Sequence, residues 1–306
     1  FCCGVCAARR VSPKPIIGLV RAARARSVTA AVSRPRCTGR MRVLWLLRAV
    51  SALASQAGCS GTGNPTGSQK GQDVWVEEHF GFDSIHLINY HFFVDLAANH
   101  PECLSNSVML ERKHGWSGLC IEANPELAKQ LRAERACTVI EAPIASTSRV
   151  VSFYPAGASG GIVSKNMDNA NPFSHQRVTL TARRLDEVLH TANAPRVIGY
   201  LSLDIEGAED EALCADFPFH KYTFLLVTIE RPPPSLNRRL FEHGYLFVKN
   251  HRFDTFYVHS SHPNATGISR NSTFKQVNAK CTSSRTAKHT LGPLDEPRLG
   301  FECSWS

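Results

Sequence analysis

The first 72 residues contain no aspartate or glutamate, although they hold 12 of the chain's 35 lysines and arginines. The other 234 residues carry 23 basic and 26 acidic side chains, a net of −3. The formal charge of +9 therefore belongs to the N-terminal segment, and the body has no electrostatic reason to seek a polyanion. A nucleic-acid partner is not expected. No run of 18 apolar residues occurs, so the body is expected to be soluble, with a membrane involved only if the leader is kept as an anchor. The 11 cysteines form no set with zinc-finger spacing, which argues against structural zinc, and no Gly-x-Gly-x-x-Gly marks a dinucleotide site.

What the N-terminal segment does contain is Ala, Arg and Ser, with Pro13, Pro15 and Pro35 interrupting it. Residues 1–57 read as a leader. From Met41, Arg42 supplies a basic start, Val43 to Ala54 a short apolar core broken by Arg48, and Ser55-Gln56-Ala57 a small-residue cleavage site. This pattern favours a secretory signal peptide and a lumenal or extracellular protein. The same composition also suits an organellar transit peptide. Two glycosylation acceptors, Asn264-Ala265-Thr266 and Asn271-Ser272-Thr273, agree with the secretory route, as does a disulfide expected between Cys281 and Cys303. Cys120 and Cys214 lie in apolar patterns and are expected to be small buried residues.

Residues 58–79 are expected to be a linker, 80–260 a folded domain and 261–306 an irregular tail. Within the domain, Phe92 to Ala97, Leu119 to Glu122, Thr138 to Ile140, Ile198 to Asp204 and Phe224 to Ile229 read as buried strands. Between them, Ser105 to His114, Pro125 to Ala133, the stretch up to about Leu213 and Ser235 to His243 read as helices, with Gly115 and Gly244 as stops. Arg149 to Tyr154 is a possible further element. Alternation of this kind predicts an α/β fold with a doubly wound, mostly parallel sheet. Tyr245 to Val248 with Thr255 to His259 predicts an antiparallel hairpin on its edge.

Several of these strands end on acids. Asp95 lies near the end of the first, Glu122 closes the second, Asp204 closes the central one and Glu230 the next. Ligands of open α/β sheets bind beyond the carboxyl ends of strands, so these groups share one edge where a nucleoside-containing cofactor would lie. Clustered carboxylates oppose a pyrophosphate and suit a cation. S-adenosyl-L-methionine carries a sulfonium and no phosphate, which makes it a better fit than NAD.

The segments Phe93 to Asn99, Leu104-Ser105-Asn106, Gly115 to Pro125, Arg184 to Leu189 and Leu201 to Glu209, taken in this order, resemble the FkbM family of S-adenosylmethionine-dependent methyltransferases. The likeness spans about residues 80 to 260 and implies a Rossmann-like, seven-stranded sheet that methylates a hydroxyl oxygen. By that resemblance Asp95, Asn99 and Glu122 look like cofactor residues, with Glu122 on the ribose, and Ala97, Ser105 and Asn106 belong to the same loop motifs. Asp204 and Glu206 match the acidic motif that faces cofactor and substrate. Ala97 and Pro101 stand where the family often has glycine, and an added methyl or a fixed φ would hinder close approach of the backbone.

The expected reaction is direct methyl transfer to a hydroxyl of a sugar, lipid or small metabolite, with Asp204, Glu206 or Glu230 as general base. A non-catalytic, glycosylated lumenal binding protein on the same fold is the alternative. No dedicated metal ligand set is legible, and the histidines show no i, i+4 pairing. Glu209, Asp210 and Glu211 read as acids suited to the first turn of a helix. Gly157 to Gly161 reads as a loop without a binding task, Asn166 to Ser174 as its continuation with the length of a lid, and Pro232 to Pro234 as a rigid turn.

Overall fold

A computed structural model describes residues 67–80, 87–157, 160–164 and 177–277, together with the short strands 281–283 and 301–303. The leader, with its cleavage site, and the lid expected over Asn166 to Ser174 lie outside the described residues. Among those described, no helix is long and apolar enough to cross a membrane.

The apolar runs form strands because each can be covered on both faces. Strands β1 (Phe92–Leu96), β2 (Ser117–Ile121) and β3 (Thr138–Ile140) alternate with the helices Val108–His114 and Pro125–Glu134. Next come β4 (Arg149–Tyr154), β5 (Gly161–Ile162) and β6 (Val178–Ala182), which pair antiparallel as a separate small sheet in the order β5-β4-β6. The main sheet continues with β7 (Val197–Leu203), β8 (Thr223–Glu230), β9 (Tyr245–His251) and β10 (Asp254–His259). Its order is β3-β2-β1-β7-β8-β10-β9. The pairs β3–β2, β2–β1, β1–β7 and β7–β8 are parallel, whereas β10 runs antiparallel to both β8 and β9. The seven strands and the edge hairpin agree with the α/β expectation.

Side chains alternate between two cores, one on each face of the sheet. Val94, Leu96, Leu201 and Leu203 pack with Val188, Leu189, Leu236 and Leu240 of the helices Leu185–Thr191 and Pro234–Glu242. Phe93, Cys120, Tyr200 and Phe256 pack on the other face with Trp75, Phe80, Leu110 and Leu131. Packing on the second face is close: a Cβ on Gly199 would lie 2.2 Å from the Tyr90 carbonyl oxygen. Trp75 and Phe80 belong to a helix, Gln72–Phe80, all but the last residue of which falls in the stretch 58–79 expected to be linker. Its hydrophobic residues follow no helical period that would advertise it; the aromatic pair finds its partners only in the folded sheet.

The termini of the helices follow local rules. Asn124 caps Pro125–Glu134 by accepting from the Glu126 N–H at 3.1 Å, with Pro125 at the first position. Gly115 ends Val108–His114 in the left-handed region, at φ 68°. Beyond β10, where an irregular tail was expected, a short helix Ala265–Ile268 forms, and the backbones of 281–283 and 301–303 pair antiparallel with Cys281 opposite Cys303.

Cys120 is buried as expected, but it is not simply a small core residue: it forms a disulfide with Cys137, just ahead of β3. Cys103 is disulfide-bonded as well, and Cys214 is a half-buried free thiol.

Candidate functional site

The chain leaves β1 for β2 and β3 on one side and returns to β7 on the other, so the sheet has its topological switch between β1 and β7. Flanking loops must part there, and a crevice opens beyond the carboxyl ends of the strands. It encloses about 940 Å³ of space, part of it open to solvent. Ala97, Asn99, Asn106, Glu122, Asp204, Glu206 and Glu230 all line it. No Lys or Arg stands among its described lining residues.

The β1 loop forms one wall. Ala97, Asn99 and Leu104 all have positive φ, at 57°, 55° and 63°. Ala97 thus occupies the left-handed conformation that glycine would adopt without strain, which explains physically why a glycine suits this position. Asn99 presents its N–H to Glu122 Oε2 at 2.8 Å, while the Asn124 N–H reaches Glu122 Oε1 at 2.7 Å. Burial raises the Glu122 pKa, and these two N–H donors oppose the rise. Asn106 donates from Nδ2 to Ser202 Oγ at 2.9 Å, yet its Oδ1, buried in the cavity wall, has no partner.

Two residues expected on the cofactor lie instead behind this wall. Asp95 and Ser105 are buried and do not line the cavity. Asp95 accepts from Ser107 Oγ at 2.6 Å, and Ser105 Oγ accepts from the Val108 N–H at 3.2 Å. They hold the loop from below.

The opposite wall is acidic. One carboxylate oxygen from each of Asp204, Glu206 and Glu230 lies within 4.8 Å of the others, close enough for a single hard cation to bridge them. An ion bridging Asp204 and Glu230 is conceivable from the sequence without a dedicated ligand set; the three-residue convergence depends on the pairing of β7 with β8, because Asp204 and Glu206 lie in the turn after β7 and Glu230 ends β8. Burial, then the charge of Glu230, pushes the Asp204 pKa well above the usual carboxylate range. Arg231 forms an ion pair with Glu230, and its guanidinium stacks over Phe253, 4.0 Å from the ring centroid. Glu206 sits at φ 56°, followed by Gly207 at φ 99°.

Glu209 is what shapes that turn. Its carboxylate accepts from the Ile205 N–H at 3.0 Å and the Gly207 N–H at 3.2 Å, and burial raises its pKa to about 8. It clamps the acidic turn, a role beyond that of a solvated first-turn acid. Asp254 is a further carboxylate missed in the sequence. It pairs across the strands with Glu230, accepts from Gln72 Nε2 at 3.0 Å, and is pushed up to about 7 by burial and by Glu230. Only the register of β10 against β8 brings it there.

The small sheet closes the cavity from the side. Phe153 and Ile162 line it together with Gly157, Gly160 and Gly161, so the glycine loop expected to have no binding task does form part of the wall.

A family model described as the methyltransferase FkbM domain matches residues 95–255. Among solved structures, the human methyltransferase 10 domain containing protein is similar at 10% identity with a TM-score of 0.33, over 72% of this chain and 97% of that one. No curated protein matches the chain.

Proposed function

From the premise that the chain belongs to the FkbM methyltransferase family, which the match over residues 95–255 establishes, we propose that it uses S-adenosyl-L-methionine to methylate a hydroxyl oxygen. One observation carries this reading: the switch-point cavity is lined by Glu122, Asp204, Glu206 and Glu230, with no Lys or Arg among its described lining residues. A phosphate-bearing cofactor would find like charge there, whereas a sulfonium with an ammonium finds opposite charge. The unpartnered Asn106 Oδ1 fits the same ligand, because a buried acceptor in a cavity wall calls for a donor from the occupant.

When bound, the cofactor supplies an electrophilic sulfonium methyl. The chain's own residues then have three tasks. Glu122, already held by two backbone N–H groups, keeps acceptor capacity for ribose hydroxyls. Ala97, Asn99 and Asn106 set the wall against which the cofactor is aligned. The acidic wall would orient the substrate hydroxyl and accept its proton. Burial and the charge of Glu230 raise the Asp204 pKa, so Asp204 is the member of that wall that most readily holds a proton, and Glu206 and Glu230 are proposed as the proton acceptors.

Titration calorimetry with S-adenosylmethionine tests the reading: micromolar binding that disappears in Glu122→Ala supports it, and no binding by the wild-type chain overturns it. The strained φ of 57° at Ala97 favours a second reading, a non-catalytic lumenal protein whose loop has lost the fit for cofactor, and the same titration separates the two. The substrate class is tested with labelled methyl groups on sugar, lipid and small-metabolite hydroxyls. We further propose a secretory-pathway location. The Cys120–Cys137 disulfide supports it, since such bonds persist in oxidising compartments, as do the exposed acceptors Asn264 and Asn271.

A further inference from the structure

Arg135 lies outside the cavity, just after the helix Pro125–Glu134, yet its side chain is wholly buried and reaches the back of the β1 loop. All three guanidinium nitrogens are used. Nε donates to Glu111 Oε1 at 3.1 Å; one terminal nitrogen donates to Ser105 Oγ at 3.0 Å and to the Pro101 carbonyl at 3.3 Å; the other donates to Ser107 Oγ at 3.1 Å. Ser107 Oγ in turn donates a hydrogen bond to Asp95 on β1. A planar guanidinium presents its donors at fixed angles, so these contacts cannot slide past one another.

The root of this side chain is fixed as firmly as its tip. The N–H groups of Ala136 and Cys137 donate to the Glu111 carboxylate at 3.0 and 2.9 Å, and Cys137 is bonded to Cys120 in the middle of β2. The loop it reaches contains three residues at positive φ, and such backbone persists only where its surroundings hold it. Stability alone would not require a cation here, because well-packed apolar residues commonly replace buried ion pairs at no cost. What the guanidinium adds is direction.

We infer that Arg135 is a positioning residue for cofactor binding, a strut from the disulfide-anchored segment before β3 that holds the β1 loop, with Asn99 and Asn106 on it, in its binding conformation. The inference rests on the reading of the cavity as an S-adenosylmethionine site. Lysine keeps the charge but loses the fork, so it breaks the strut while sparing the ion pair with Glu111.

The test measures S-adenosylhomocysteine affinity, thermal melting and amide deuterium uptake for the wild-type chain and Arg135→Lys. The expected result is a cooperatively folded variant whose affinity falls roughly tenfold or more. Uptake should rise in residues 97–107 and stay unchanged in β8. Ser107→Ala, which cuts the bridge from the guanidinium to Asp95, gives the same pattern and serves if the lysine variant does not fold. Affinity within twofold of wild type, or uptake raised equally across the sheet, overturns the inference alone. Absence of binding by the wild-type chain overturns the cofactor reading and the inference with it.

Discussion

On the β1–β2 side of the cavity, buried carboxylates have donors of their own: Asp95 receives Ser107, Glu122 receives two backbone N–H groups, and Glu111 receives Arg135. On the β7–β8–β10 side, Asp204, Glu206, Glu230 and Asp254 face one another, and the pKa values of Asp204 and Asp254 are raised. The first arrangement fixes geometry; in the second the carboxylates crowd one another, and the charge of Glu230 adds to burial in raising the Asp204 and Asp254 values. Two walls of one crevice can thus be built from the same residue type for different tasks: on the first side the acids meet mainly donors, while on the second they also meet each other, although Glu230 pairs with Arg231 and Asp254 accepts from Gln72.

The sharpest way to break this comparison is to truncate one acid on each side. Glu122→Ala should abolish measurable cofactor binding, whereas Glu230→Ala should leave S-adenosylhomocysteine affinity within a few-fold and lower methyl transfer by about 10²–10⁴-fold, as loss of a general base does. Calorimetry and labelled-methyl assays read the two effects separately. Equal losses of binding in both variants would remove the division of labour.

A smaller effect concerns pH. Glu209 and Asp254 have folded pKa values of about 8 and about 7, above their ordinary values of 4.5 and 3.8. A raised folded pKa means that the native state holds a proton the unfolded chain releases, so stability falls as pH rises through this range. His262 has the opposite sign: burial lowers its pKa from 6.5 to about 4, and its contribution is lost as pH falls below 6.5. Between about pH 4.5 and 6.5 the two acids outweigh the one histidine, and above that they act alone, so these groups together should make the melting temperature fall as pH rises from about 4.5 to about 8. Glu209→Gln should flatten that decline by a few degrees between about pH 4.5 and 8. An unchanged profile in that variant would show that Glu209 is not the titrating group.

Ala97→Gly acts on the other wall and more weakly. It removes left-handed strain of about 1–2 kcal/mol but adds unfolded-state entropy of about 0.5–1 kcal/mol, so the net gain is about 1 kcal/mol or less. Urea unfolding measures it, and destabilisation instead would mean that the alanine methyl has packing partners worth more than the strain. Smallest of all, Asn264→Gln and Asn271→Gln lie on exposed surface outside both walls. Expressed in the secretory pathway, the protein should shift on glycosidase treatment, each variant should lose part of that shift, and cofactor affinity should not change.

Much of this architecture was legible along the chain. The runs Phe92 to Leu96, Val197 to Leu203 and Thr223 to Glu230 announce buried strands because parallel strands are covered on both faces, and Gly115 and Asn124 mark helix ends by local chemistry. Asp95, Glu122, Asp204 and Glu230 could be placed at one edge because each ends such a run. Asp254, Arg135 and the clamp by Glu209 could not. Asp254 opens a hairpin strand and gains its meaning from facing Glu230; Arg135 ends an exposed helix and gains its meaning 30 residues upstream, at Ser105.

By itself, then, the sequence determined the α/β class, the edge on which the acids gather, and the sign of the charge that lines it, since periodicity and strand ends are local properties of the chain. Tertiary structure alone decided which acids meet donors and which meet each other. That depends on strand register and on the burial of side chains far apart in sequence, and a one-residue slip in either would send Asp254 and Asp95 to the opposite face of the sheet.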